Sequence, residues 1–360
     1  MNSTKLKRWS IATLIASLVV TLACALTVYI VDPFEVYRKA TFYVPYIDYT
    51  TQVYSNAGIV RNYEYDSITV GTSMTENFRP SLFDELFGGR FVKLCSSGGS
   101  AYNHAVLMEK AFETHDLDRV IYGLDMYSFT PETDAVATPL PEYLYDNNPF
   151  NDVYYLLNRD VLFDRLKEVW EFQETTFFDP GDDMRDDMYE WGTQAAFHEE
   201  QVLQFIDFEQ EPGAMKAYNF NEENTIANLE LNLIPFIEAH PETEFMIFYP
   251  PYSVMEWYGM LLNGNLDLVL YTKELCTEYL LEFENVRIYD FTAREEWVCN
   301  LEYYKDLSHY SPDISDAIAQ AICNDENLVD EIYDVYEYND QIYAWVDDIY
   351  YNRDAYLPEA

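Results

Sequence analysis

Apolar positions along this chain follow two patterns. From Ser10 to Val31 there are 22 consecutive residues without a charge, preceded by Lys5, Lys7 and Arg8 and closed by Asp32. A helix rising about 1.5 Å per residue would carry such a run across the ~30 Å hydrocarbon core of a bilayer. Further on, short apolar runs alternate with longer stretches of helical period, the sign of βα units and a parallel sheet. Strands are predicted at Ser67–Val70, Phe91–Cys95, Val120–Asp125, Glu244–Tyr249 and Val286–Phe291. Helices are predicted at about Ala101–Thr114, Glu222–Ala239, Leu266–Phe283 and Pro312–Cys323, the last with Ser311 as cap and Pro312 at its first position. Five strands suit a small doubly wound sheet.

This pattern divides the chain into a basic end and transmembrane anchor (1–31), a stem without clear period (32–65), an α/β domain (66–325) and an acidic, Tyr-rich extension (326–360). Residues 130–220 interrupt the βα alternation and read as an insertion that builds a lid or substrate wall. In the extension, "IYAWVDDIYYNRDAY" suits a final amphipathic helix packed on the domain. The basic flank should stay in the cytoplasm, giving an N-in single-pass protein whose remainder is extracytoplasmic. Ala23 and Ala25 offer a signal-peptide cleavage site, and Cys24 a lipoprotein alternative. A retained anchor fits better, because the run continues past that site and exceeds the usual ~7–15-residue signal core.

Composition narrows the partners. The net charge is −43, with 64 acids against 21 Lys and Arg, and every acid lies after the apolar run. Such a surface repels polyanions, which excludes nucleic acid and opposes a strongly anionic wall polymer unless cations screen it. The 33 Tyr and 22 Phe supply the apolar body that so acidic a chain needs. Five cysteines contain no CxxC pair, so sulfur-bound metal is not expected. Cys24, Cys95 and Cys276 fall in apolar elements, while a Cys299–Cys323 disulfide is open. HExxH, P-loop, GxGxxG and EF-hand patterns are absent, so neither metal nor cofactor is expected.

Two motifs carry chemistry. In "DSITVGTSMTENF" an apolar strand runs into Gly71, Thr72 and Ser73. In open α/β sheets ligands bind beyond the carboxyl ends of the strands, where a serine is placed as a nucleophile and neighbouring backbone N–H groups can face an oxyanion. By itself, a serine in this position is more often only a cap. "DLSHYSPDISDAI" then sets Asp306 three residues before His309, just ahead of the last helix. In a tight turn the carboxylate reaches Nδ1 and leaves Nε2 free to take the serine proton. The other histidines fit less well: His104 and His115 lie in or at the end of the early helix, His198 in the insertion, and His240 beside Pro241.

These two motifs resemble the first and last sequence blocks of the SGNH/GDSL hydrolases, and the likeness runs over roughly Asn56 to Cys323. "NAGIVRNYEYDSITVGTSMTENF", "GLDMYSF" and "YLYDNNPFNDVYYLLNRD" are similar to a group of membrane-anchored SGNH-like proteins of Gram-positive bacteria. More distantly, the chain resembles the teichoic-acid D-alanyl transfer and alginate O-acetylation proteins. The resemblance implies a flavodoxin-like three-layer sandwich with nucleophile Ser73, general base His309 and supporting Asp306. It also implies an acyl-ester substrate, a carbohydrate or cell-wall polymer, whose acyl group passes to water or to a sugar hydroxyl. For the oxyanion it implies the backbone N–H of Gly98, or of Gly99, in "CSSGGSAYN".

The third block departs from the family pattern. "GLDMY" places Asp125 where an Asn is usual, and an ionised carboxylate there would repel the oxyanion. Asp125 is then protonated or turned away, or Tyr127 or Asn103 supplies the donor. Tyr252 and Ser253 in "FYPPYS" either line the pocket or only mark a proline-ended strand. The missing Asn also motivates an alternative, a catalytically idle scaffold or partner-binding protein of the cell envelope.

Overall fold

The computed structural model describes residues 3–175, 184–213 and 220–356. The chain groups into two compact units, one of residues 1–47, 53–63 and 140–182, the other of residues 48–52, 64–139 and 183–360. The predicted insertion is thus shared between the units, residues 140–182 falling in the first and both of its ends in the second.

In the first unit the apolar run is helical from Ser3 to Val31 and is long and apolar enough to cross a membrane. The stem that follows is more ordered than its sequence period suggests. Asp32 adopts φ 53°, and its carboxylate accepts the N–H groups of Val36, Tyr37 and Arg38 and the Tyr155 hydroxyl. A helix at Gln52–Asn62 escaped the period-based reading. Gly58 in it lies so close to the Phe34 carbonyl that a Cβ would fall 2.1 Å from the oxygen, so only glycine fits.

The second unit carries a five-stranded sheet of order β2-β1-β3-β4-β5, every pairing parallel. The strands are β1 Ser67–Gly71, β2 Phe91–Cys95, β3 Arg119–Gly123, β4 Glu244–Tyr249 and β5 Val286–Asp290. Parallel strands are covered on both faces, which is why β1 and β2 are buried along their full length. Helix Pro80–Phe87 packs with Pro312–Cys323, while Ala101–Thr114, Glu222–Asn232 and Leu266–Leu280 pack in series. The result is an α/β fold of the doubly wound, flavodoxin-like order. Its switch point lies between β1 and β3, where the chain leaves the sheet in opposite directions and opens a crevice.

Two helical expectations need correction. Glu222–Ala239 is two helices, Glu222–Asn232 and Ile234–Ala239, because Pro235 has no N–H to continue the ladder. Ser311 stands at the cap position of Pro312–Cys323, but its hydroxyl makes no capping bond. The final helix runs from Ile332 to Tyr351 and packs on Val254–Leu262 and Leu266–Leu280. Its buried positions Val335, Asn339, Ile342, Val346 and Ile349 form a single stripe. All five cysteines are free thiols, so Cys299 and Cys323 do not pair; the Cys323 thiol instead reaches the Leu86 carbonyl at 3.5 Å.

Candidate active site

The turn that carries Ser73, the candidate nucleophile, is a short 3-10 segment, Ser73–Thr75, at the carboxyl end of β1. Thr75 folds back onto the strand ends, where a Cβ on Gly71 would sit 2.7 Å, and one on Gly123 2.8 Å, from its Cγ2. Glycine at these two positions therefore provides room for the turn, not an unusual backbone angle. Ser73 is half-buried, and its Oγ lies 2.7 Å from His309 Nε2.

His309 is held from several sides. Its loop is closed by an antiparallel bridge between Tyr304 and Tyr310 and by the Lys305 N–H donating to the His309 carbonyl at 3.1 Å. The Tyr310 hydroxyl donates to the Met74 carbonyl at 2.6 Å, tying this loop to the nucleophile turn. From the loop after β4, the Ser253 hydroxyl donates to the Leu307 carbonyl at 2.5 Å. Ser253 therefore holds the histidine loop, and Tyr252 is 2% exposed, so neither lines an open pocket.

Both carboxylate oxygens of Asp306 lie 2.9 Å from His309 Nδ1. Oδ1 also accepts the N–H groups of Ser308 at 3.0 Å and His309 at 2.8 Å. Burial pushes the Asp306 pKa up, but the bonds and charge of His309, with the two amides, outweigh it and hold the carboxyl below its ordinary value. An acceptor-only carboxylate at Nδ1 puts the ring proton there and leaves Nε2 to accept from Ser73. The four remaining histidines are engaged elsewhere. His104 is buried against Tyr122, where burial pushes its pKa down to about 3; His115 stacks on Tyr65, His240 stacks on Phe112, and His198 lies 3.6 Å from Glu302.

Asp125 is turned inward. Its Oδ2 accepts the Thr72 hydroxyl at 2.8 Å, and its Oδ1 accepts the Tyr252 hydroxyl at 2.5 Å and the Tyr127 N–H at 3.0 Å. The two substitutes considered from the sequence are also occupied. The Tyr127 hydroxyl donates to Glu256, and Asn103 spends its amide on the Thr138 carbonyl while completing a capping box with Ser100. Backbone donors remain. Gly98, at φ +60° in the exposed loop after β2, has an N–H without a protein acceptor among the described residues. Ser73 opens its 3-10 turn, where a first N–H has no partner within the helix. Gly99 is committed instead, its N–H donating to the Ser96 carbonyl at 2.8 Å.

Four side chains around this centre were not singled out from the sequence. Glu76, 1% exposed, accepts from Gln52, whose Oε1 in turn accepts the Ser97 N–H at 2.7 Å. This bridge ties the nucleophile turn to the loop that carries Gly98. Burial pushes the Glu76 pKa up, and it pushes that of Glu256 up to about 7. Trp191 meets the His309 ring edge-on with centroids 5.6 Å apart, and its backbone N–H and that of Gly192 both donate to Asn77 Oδ1. Lys305 lays its ammonium 3.5 Å from the centre of the Trp191 ring. Glu76 lies within the first motif but carried no chemical signal there, and the other three belong to no sequence block, although Gly192 is a trace: a Cβ there would meet Pro312 at 2.2 Å. Among the described residues no group of three or more His, Cys, Asp or Glu side chains is arranged to hold a metal ion.

No protein-family model matches the chain, and no curated protein matches it. Among solved structures it is similar to a proposed platelet activating factor from Streptococcus pneumonia, at 11% identity and TM-score 0.42 over 78% of this chain and 92% of that one. It is also similar to a proposed acylhydrolase from Bacteroides fragilis, at 10% identity and TM-score 0.38 over 77% of this chain and 96% of the other. Likenesses at these TM-scores carry no argument about activity.

Proposed function

We propose that this chain is an extracytoplasmic, membrane-anchored serine esterase or O-acyltransferase of the SGNH type, acting on an ester of a cell-envelope carbohydrate or polymer. The observation that carries this reading is the unbroken relay from Ser73 Oγ to His309 Nε2 at 2.7 Å and from His309 Nδ1 to Asp306 at 2.9 Å. Ser73 attacks the ester carbonyl while His309 takes its proton and Asp306 stabilises the imidazolium that forms. The N–H groups of Ser73 and Gly98 face the oxyanion. His309 then protonates the departing alcohol, leaving an acyl group on Ser73. Water or a sugar hydroxyl, deprotonated by His309, removes it and restores the serine.

A fluorophosphonate probe, which needs an activated serine, tests this directly. Wild type should label at Ser73, and Ser73→Ala and His309→Ala should lower labelling by several orders of magnitude with the fold intact. Absence of labelling in wild type would favour the idle scaffold, the reading suggested by Asp125 in place of Asn.

A further inference from the structure

A half-buried ammonium stands near the relay with no anion among the described residues to pair with it. Lys305 has neither a hydrogen-bond acceptor for its Nζ nor an ion pair among the described residues, only the face of Trp191. Other cations of this acid-rich unit have acceptors: Arg79 pairs with Asp316, Arg185 with Asp84, Lys273 with Asp290 and Arg353 with Glu211, while Lys93 donates to the Glu76 and Asp186 carbonyls. The acids that act on Lys305 are Asp306 and Glu76, and both are committed, one to His309 and the other to Gln52. Burial moves the Lys305 pKa down against their pull.

Its neighbour is short of an acceptor as well. Trp191 is 7% exposed and its indole N–H is buried without a partner, a condition native structures rarely leave unexplained. The two groups are held in place, Lys305 by Gln201 donating to its carbonyl at 2.7 Å and Trp191 by Asn77. Two donors without acceptors among the described residues therefore meet at Trp191, whose ring lies edge-on to His309, in a chain whose overall charge repels anions. A neutral ester would need no ammonium at this place, and a cationic one would be repelled by it.

We propose that Lys305 and Trp191 form an anion-recognition subsite beside the relay, so that the ester handled here carries a phosphate or carboxylate group close to its reacting carbonyl. The ammonium makes the first contact, since the indole nitrogen is covered. This proposal rests on the esterase reading of Ser73 for its location, but its test does not depend on turnover.

Full-length Ser73→Ala protein in detergent is titrated calorimetrically with phenyl phosphate, benzoate and the neutral benzamide. One charge-assisted hydrogen bond should make an anion bind about tenfold tighter than benzamide. Lys305→Met keeps the aliphatic stem over Trp191 but removes the charge, and should abolish that preference; Lys305→Arg should restore part of it. Preference for phenyl phosphate alone identifies a phosphate substrate, for benzoate alone a carboxylate. No preference for either anion, or a preference that survives Lys305→Met, overturns the proposal and leaves Lys305 as a clamp on Trp191. Fluorophosphonate labelling of wild type separately decides the esterase reading.

Discussion

Replacing Asp306 by Asn tests the relay at its most constrained contact. Oδ1 receives two backbone N–H groups, from Ser308 and His309, so the amide oxygen of Asn must remain there to satisfy them. The NH2 group then takes the place of Oδ2, 2.9 Å from Nδ1. Oδ1, at the same distance, is already shared with two amides, so the new donor favours an unprotonated Nδ1; the ring proton moves to Nε2, and His309 in that tautomer cannot take a proton from Ser73. The loop should keep its shape, because both amide bonds survive. For a Ser-His-Asp enzyme this tautomer error costs about 10⁴ in turnover, or about 5 kcal/mol of transition-state stabilisation. The assay is the rate of fluorophosphonate acylation and of aryl-acetate hydrolysis, with near-ultraviolet circular dichroism reporting the fold. Asp306→Asn labelling at the wild-type rate would show that Asp306 does not orient His309, and the relay would lose its third member.

Further outcomes follow from burial and charge. Glu256 holds its proton to about 7 in the folded chain against the ordinary 4.5, so stability should fall as pH rises from about 4.5 to 7, by at most about 3 kcal/mol. The folded state is the one that retains the proton across this window, and Glu256→Gln should flatten the decline; melting temperatures that keep the wild-type slope would contradict it. The Lys273–Asp290 pair is fully buried at 2.8 Å, so Asp290→Ala should destabilise by about 3–5 kcal/mol, whereas Lys273→Met with Asp290→Leu should recover most of the loss in urea melts. Retention of the anchor predicts a mature N-terminus upstream of the apolar run; Edman sequencing that begins near Ala25 or Leu26 would show cleavage instead.

Much of the sheet was legible because parallel strands buried on both faces read as continuous apolar runs. β2 and β4 begin and end where the sequence places them. β1, β3 and β5 shift by one or two residues at their ends, where the chain turns into loops that hydrophobicity does not mark. The Gln52–Asn62 helix was missed because Gly58 and its polar neighbours break the apolar period, and the glycine is there because the helix approaches the Phe34 carbonyl. The grouping of Ser73, Asp306 and His309 was legible through local motifs, a strand end and a three-residue spacing. Trp191, Lys305, Glu76 and Glu256 were not, since each gains its meaning from a partner distant in sequence: Trp191 meets His309 across the fold, and Glu256 meets Tyr127.

Asp125 shows how one departure from a pattern changes the expected chemistry without removing it. Its carboxylate gathers Thr72, Tyr252 and the Tyr127 amide, so it braces the residue just before Ser73 from the end of β3. A side chain spent in this way gives nothing to an oxyanion, and the donors come down to two backbone N–H groups. Losing one donor of this kind costs about 10²–10³ in rate, so on the proposed esterase reading the chain is a slower catalyst and not an inert one. A scaffold without chemistry would gain nothing from directing Asp306 at Nδ1 with two backbone amides, or from fixing His309 between Ser73 and the edge of Trp191. Slow formation of an acyl-enzyme is also compatible with transfer to a hydroxyl acceptor, because the partition between water and acceptor is decided after the first oxyanion has collapsed. The bracing role of Asp125 therefore fits acyl chemistry at Ser73 better than a structural remnant.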